Sequence, residues 1–295
     1  MTTKEQLLAY IRFEGGQEFP DLGFTAPSEN VIAVDTLICE RPGATGGYDA
    51  FGVHWTPAVP SAHYTPNQPP ILEDIEDWES VKVPDVSRFD WDGLAEKYRN
   101  IDRENNLVAA TLLTGPFERT SVLSSFEDCL MNAISEPECY SALIGKIADY
   151  KIALIDKLQK AVRPDVINFH DDWGTARSTF MSPTLWRETI KPHIRRIYDA
   201  IHERGMLVCQ HSCGQISALI PDMIEMGADL WEAQTSCYHL PDLLAQCHGK
   251  IRVLSPLLAE VPDGGLPDLP PPPQIDLADL PADGRGYDTP PNFLI

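Results

Sequence analysis

Between residues 107 and 254 the chain alternates short apolar runs with longer stretches whose apolar residues recur every three or four positions. No other feature narrows the fold so far. Leu107-Val-Ala-Ala-Thr-Leu-Leu113 is apolar on both faces, as a strand covered by helices must be, and it ends in the turn Thr114-Gly115-Pro116. Asp165-Val-Ile-Asn-Phe169, Met206-Leu-Val-Cys-Gln210, Leu230-Trp-Glu-Ala233 and Ile251-Arg-Val-Leu254 repeat the pattern. Helical stripes lie between them. One starts near Ser121 and carries Val122, Leu123, Phe126, Leu130, Met131 and Ile134. A second, behind a capping box at Ser135-Glu-Pro-Glu138, carries Leu143, Ile144, Ile147, Leu154, Ile155 and Leu158. A third follows Ser182-Pro183 with Leu185, Ile190, Ile194, Ile197 and Ile201, and a fourth holds Ile216, Leu219, Ile220, Met223 and Ile224; Gly205 and Gly227 end these two. Strand, helix and strand at this spacing demand parallel pairing with helical crossovers. The expected fold is α/β, a (β/α)8 TIM barrel over residues 1–261, with an atypical proline-rich C-terminal end over 262–295.

Composition bears on partners and compartment. Against 44 acidic side chains stand 23 basic ones, a formal charge of −21, which repels phosphate backbones and anionic lipid surfaces. Neither nucleic acid nor membrane is an expected partner. The N-terminus reads as a short amphipathic helix rather than a signal peptide, and no apolar run is long enough to span a bilayer. Seven cysteines, several of them in apolar runs, suit reduced buried thiols, so the expected compartment is the cytoplasm. The glycine cluster Gly43-Ala-Thr-Gly46-Gly47 neither follows a clean strand nor opens a helix, and reads as a turn rather than a nucleotide loop. Nine of the 26 prolines fall after residue 261, among them Pro270-Pro-Pro-Pro273, and no helical stripe accompanies them.

In a (β/α)8 barrel the residues at strand C-termini and in the following turns line the active face. Thr114-Gly115-Pro116, His170-Asp171-Asp172 and His211-Ser-Cys213-Gly214 all occupy such positions. His211 and Cys213 offer an imidazole and a thiol two residues apart, a pairing that suits zinc. Two ligands do not complete a site, and a packed cysteine beside a hydrogen-bonded histidine has the same composition. A third ligand must come from another strand, with Cys237 and Glu232 the nearest in sequence. Of the adjacent acids only one can face inward, because neighbouring strand residues point to opposite sides. If Ile167 and Phe169 pack on helices, then Asn168, His170 and Asp172 face the interior. Helix capping is the alternative use for the acids, and a satisfied core histidine the alternative for His170. Gly46-Gly47-Tyr48-Asp49-Ala-Phe51-Gly52-Val-His54-Trp55 can floor a pocket or pack as an aromatic turn.

Asp171-Asp172-Trp173-Gly174-Thr175, Ser182-Pro183-x-x-Trp186-Arg187, Lys191-Pro192, His211-Ser-Cys213-Gly214 and Ile220-Pro221-Asp222-Met-Ile224-Glu-x-Gly227-x-Asp229 follow one another in an order and spacing that resembles the uroporphyrinogen decarboxylase superfamily. The likeness is to its cobalamin-dependent methyltransferase-like branch, and it covers roughly residues 105–255. That resemblance implies a (β/α)8 barrel and a methyl transfer between a small methylated substrate or thiol and a corrinoid carried by a partner protein, assisted by zinc. It implies His211 and Cys213 as metal ligands, with Cys237 or Glu232 in place of a distant cysteine, since no cysteine follows Cys247. Asp172 and Asp49 are the expected catalytic pair; Asp171, His170, Tyr48 and Trp173 complete the expected substrate-binding set. Decarboxylases of the superfamily carry an arginine-rich N-terminal signature, where this chain has Glu40-Arg41-Pro42-Gly43. A metal-free decarboxylase-like lyase and a non-catalytic barrel that binds a corrinoid protein are the alternatives. Self-association stays open.

Overall fold

The computed structural model describes residues 2–15, 29–36, 46–55 and 69–254. Cys39, residues 40–43 and the proline-rich stretch 262–295 lie outside the described residues. Strands β1 (Val31–Val34), β4 (Leu107–Leu112), β5 (Val166–His170), β6 (Leu207–Ser212), β7 (Leu230–Ala233) and β8 (Arg252–Leu254) form one parallel sheet in that spatial order. Strands β2 (Gly47–Tyr48) and β3 (His54–Trp55) make a separate antiparallel hairpin. Eight barrel strands were expected; the described residues carry six parallel ones.

Strand parity divides the core in two. Val108, Ala110, Leu112, Ile167, Phe169, Val208 and Trp231 point outward into the helical layer. The central helix there is α5 (Pro137–Ala161), whose Leu143, Ile144, Ile147, Leu154, Ile155 and Leu158 are all buried, as their spacing predicts. On the inner face, Leu107, Ala109, Val166, Leu207, Cys209 and Leu230 cluster with Leu7 and Ile11 of the N-terminal helix α1 (Thr3–Ile11). Four of these begin their strands, so α1 covers the N-terminal end of the inner face. Each of its two buried side chains contributes about 1.5–3 kcal/mol. A capping box at Thr2 and Glu5 starts α1, and Lys4 pairs with Asp165 at 2.7 Å. The C-terminal ends of the strands are left for chemistry.

The helices after β4 depart from the sequence pattern. One helix was expected from Ser121; there are two, α3 (Pro116–Leu123) and α4 (Phe126–Ser135). Ser125 ends the continuity by accepting the Asp128 amide at 3.0 Å, the bond of an N-cap. The second helix is thereby turned so that Cys129 and Ala133 are buried, while Phe126, Met131 and Ile134 are 48%, 58% and 69% exposed. The expected capping box at Ser135 is also absent, because Ser135 closes α4 and Glu136 caps α5 without a side-chain bond. The stripe after Ser182 is likewise two helices, α6 (Pro183–Thr189) and α7 (Lys191–Glu203), with Ile190 between them and Pro192 in the first turn of α7. Helix α2 (Trp91–Lys97) precedes β4; α8 (Ile220–Met226), closed by left-handed Gly227, and α9 (Leu240–Cys247) complete the set.

Candidate metal centre

Three neighbouring strands bring the site together in one row. In the sheet register His170 of β5 stands beside His211 of β6, and His211 beside Glu232 of β7. All three share the inward parity that the sequence predicts for Asn168 and His170, so they converge at the C-terminal end of the inner face. The two imidazoles stack, with ring centroids 4.2 Å apart and planes 18° from parallel. One layer deeper, the Asn168 amide donates to Glu232 at 3.0 Å and lies 3.1 Å from His170 Nε2.

The ring nitrogens of His211 face different groups. Nδ1 is 3.3 Å from Glu232 Oε2, an ion-pair contact without full hydrogen-bond alignment. Nε2 is 3.4 Å from Cys213 Sγ and 3.6 Å from Asp172 Oδ1. The Cys213 amide donates to Asp172 at 2.7 Å and ties the loops after β5 and β6 to each other. Gly214 permits that closeness. Its φ is +82°, and a Cβ there would lie 2.3 Å from the Gly174 carbonyl.

Ligand atoms of Asp172, His211 and Cys213 all lie within 4.8 Å of one another, and so do those of His170, His211 and Glu232. Burial alone would push Glu232 up, but His211 and His170 outweigh it and hold the carboxyl down at about 2. Burial disfavours protonated His211, yet Cys213, Glu232 and Asp172 together raise it well above the ordinary histidine value. The Cys213 thiol is raised by burial, with His211 opposing. A nitrogen, a sulfur and an oxygen donor therefore meet in a mostly buried, acid-rich corner. Zinc bonds of about 2.0–2.3 Å at tetrahedral angles imply donor separations of roughly 3.3–3.6 Å. The 3.4 and 3.6 Å spacings about His211 Nε2 fit that ion.

Other expected site residues lie elsewhere. Cys237 enters neither ligand group among the described residues; a short turn at Thr235–Cys237 leaves its sulfur 3.5 Å from Gln234 Oε1. Asp171 is fully enclosed and accepts the Phe117 and Glu118 amides at the start of α3 and the Trp173 indole N–H. Burial pushes its carboxyl up to about 8. It fills the space that keeps position 115 a glycine, since a Cβ on Gly115 would sit 2.3 Å from Asp171 Cβ. Trp173 is buried against Trp186. Tyr48 is 71% exposed on the hairpin, its ring against His54. Asp49 lies in an enclosed network with Phe51, Val53, Trp55 and Arg119, and the structure gives it no contact with the His211 cluster. Arg119, a lone basic residue one turn into α3, gave no local signal of that pairing. Gln234, which accepts the Gly214 amide at 2.8 Å, and Tyr238, which donates to the Gly214 carbonyl at 2.7 Å, buttress the loop after β6 and also lacked one.

No helix among the described residues is long and apolar enough to cross a membrane. Compared by sequence with curated proteins, the chain matches none significantly. Among solved structures it is similar to a methyltransferase from Methanosarcina mazei, with 16% identity and a TM-score of 0.67 over 86% of this chain and 82% of that one. At that identity the likeness is one of fold. The family model for uroporphyrinogen decarboxylase (URO-D) matches residues 46–251, more than two thirds of the sequence. This α/β chain, with its polar cluster at the C-terminal ends of parallel strands, belongs to the uroporphyrinogen decarboxylase family.

Proposed function

We propose that the chain is a zinc-assisted methyltransferase, closed as a (β/α)8 barrel, that moves a methyl group between a small methylated compound or thiol and a corrinoid carried by a partner protein. The observation that carries this reading is the convergence of His211, Cys213 and Asp172 within ligand distance at a strand C-terminus. The fold likeness to the Methanosarcina methyltransferase supports it. The metal, when bound, makes a thiol a usable nucleophile near neutral pH by favouring its thiolate. The protein's own groups prepare for that. Glu232 takes the Nδ1 side of His211 and so leaves Nε2 to the ion, while Asn168 steadies Glu232. His170 stacks on one face of the His211 ring. The same corner argues against porphyrinogen decarboxylation, because Asp172 and Glu232 repel a carboxylate-rich substrate.

The test is metal content followed by turnover. Untagged protein purified under reducing conditions should carry about one zinc per chain, lost in Cys213→Ala. It should demethylate methylcobalamin with a thiol acceptor and leave a porphyrinogen intact. Metal-free wild-type protein that cannot be loaded, or decarboxylation without methyl transfer, overturns the proposal.

A further inference from the structure

We infer that Asp172 is the third protein ligand of the metal, which makes the centre a mixed imidazole–thiolate–carboxylate site rather than a two-thiolate one. This rests on the metal-centre reading above and goes further in assigning the ligand. Three candidates compete for the place: Cys237, Glu232 and Asp172. Cys237 is outside both ligand groups. Glu232 stands at Nδ1 of His211, whereas Cys213 stands at Nε2. One imidazole directs its two nitrogens away from each other, so an ion shared by His211 and Cys213 lies on the Nε2 side. Asp172 is the carboxylate on that side, 3.6 Å from Nε2.

Asp172 is also held in place for the role. Its Oδ1 accepts the amide of Cys213, so ligand and ligand-bearing backbone move as one unit. The same Oδ1 faces His211 Nε2 at 3.6 Å, and a carboxylate that accepts one amide keeps further lone pairs for an ion. Charge is conserved by the arrangement. One thiolate and one carboxylate bring −2 to a divalent cation, the same as two thiolates. Softness is not conserved, because a carboxylate oxygen favours harder ions than sulfur does. The centre should therefore discriminate less strongly for cadmium over cobalt than a site with two sulfurs.

Cobalt(II) added alone to the reduced, metal-stripped full chain reads the ligand set directly. Wild-type protein should bind one ion, with a near-ultraviolet sulfur-to-cobalt band of one-thiolate intensity and visible bands of four-coordinate geometry. Asp172→Asn should weaken binding by more than about 100-fold, beyond the 10–100-fold typical of a partner that only orients a ligand. Asp172→Cys should roughly double the sulfur-to-cobalt band and raise the cadmium-over-cobalt preference. Glu232→Cys should leave the band at one-thiolate intensity, and Cys237→Ser should change nothing; thermal melts confirm that each variant is folded. If Glu232→Cys adds the second thiolate band and Asp172→Cys does not, Glu232 is the ligand and the assignment fails while the metal centre stands. If wild-type protein binds no cobalt, both fail.

Discussion

Asp49 is the hub of an enclosed polar network, and its replacement by asparagine separates a structural role from a catalytic one. One carboxylate oxygen accepts the Phe51 and Val53 amides, each at 2.9 Å; the other accepts the Trp55 indole N–H at 2.9 Å and the Arg119 guanidinium. Both side chains of the ion pair are fully buried, with the guanidinium 4.3 Å over the Phe51 ring. Asparagine keeps the shape but sets an N–H2 group against N–H donors, and it leaves the Arg119 cation buried without its counter-charge. Removing one partner of such a pair costs about 3–5 kcal/mol. For a domain of this size that is a melting-temperature loss on the order of 6–20 °C. Urea unfolding followed by tryptophan emission gives the free energy, with Trp55 as a reporter inside the network. Asp49→Asn combined with Arg119→Met should cost less than the sum of the two single changes, by about 1–3 kcal/mol, because the second change removes the stranded cation. If Asp49→Asn unfolds within about 1 kcal/mol of wild type yet abolishes methyl transfer, the burial argument is wrong and Asp49 belongs to the chemistry.

The remaining predictions address the loop after β6, the outward face of α4 and a surface histidine. Gly214→Ala forces a left-handed residue to carry a Cβ into the Gly174 carbonyl, so stability should fall by at least about 1–3 kcal/mol and cobalt affinity should drop with it; unchanged affinity would mean that the two loops do not need their close approach. Ile134→Glu and Met131→Glu should each shift stability by no more than about 0.5 kcal/mol, since both side chains face outward; a loss above 2 kcal/mol in a urea titration would restore the single continuous helix of the sequence pattern. The hydrogen bond from His202 to Asp229 raises the histidine, against the opposing effect of burial. A raised value stabilises the fold fully below the ordinary histidine range and loses that contribution as pH climbs through the folded value. Wild type should therefore lose up to about 1 kcal/mol between pH 6 and pH 8.5 relative to His202→Gln, and identical pH profiles would remove the pair from the account.

Much of this architecture is legible in local patterns because strands covered on both faces and long amphipathic helices announce themselves. The five runs between residues 107 and 254 all became strands of the sheet, and the α5 stripe is buried residue for residue. Parity within β5 placed Asn168 and His170 on the inner face beside His211 and Glu232. What the local pattern does not reveal shares a physical cause, namely dependence on distant partners. Nothing near Ser124-Ser125 outweighs the helical periodicity around it, and the break shows only when Ser125 caps α4. Asp171 reads as a pocket acid until Gly115 brings the start of α3 against it from another strand. Asp49 looks free for catalysis until Arg119, 70 positions away, closes over it. Cys237 lies close to β7 along the chain, but the turn at Gln234 leaves its sulfur outside the Asp172–His211–Cys213 group.

Adjacent acids at the end of β5 show how one strand can serve fold and chemistry together. Because successive side chains point to opposite sides, Asp171 is driven outward, where it anchors the first turn of α3 and is wholly buried. Asp172 is left at the inner corner, held by the Cys213 amide beside His211. The outer acid fixes the loop after β4 against β5, and the inner one fixes the loop after β5 against β6. Three consecutive strand ends are thus locked in order before any ligand arrives, and the His211 ring is gripped between Glu232 on one edge and the Asp172–Cys213 pair on the other. The rigidity of this corner comes from the backbone and the carboxylate anchors.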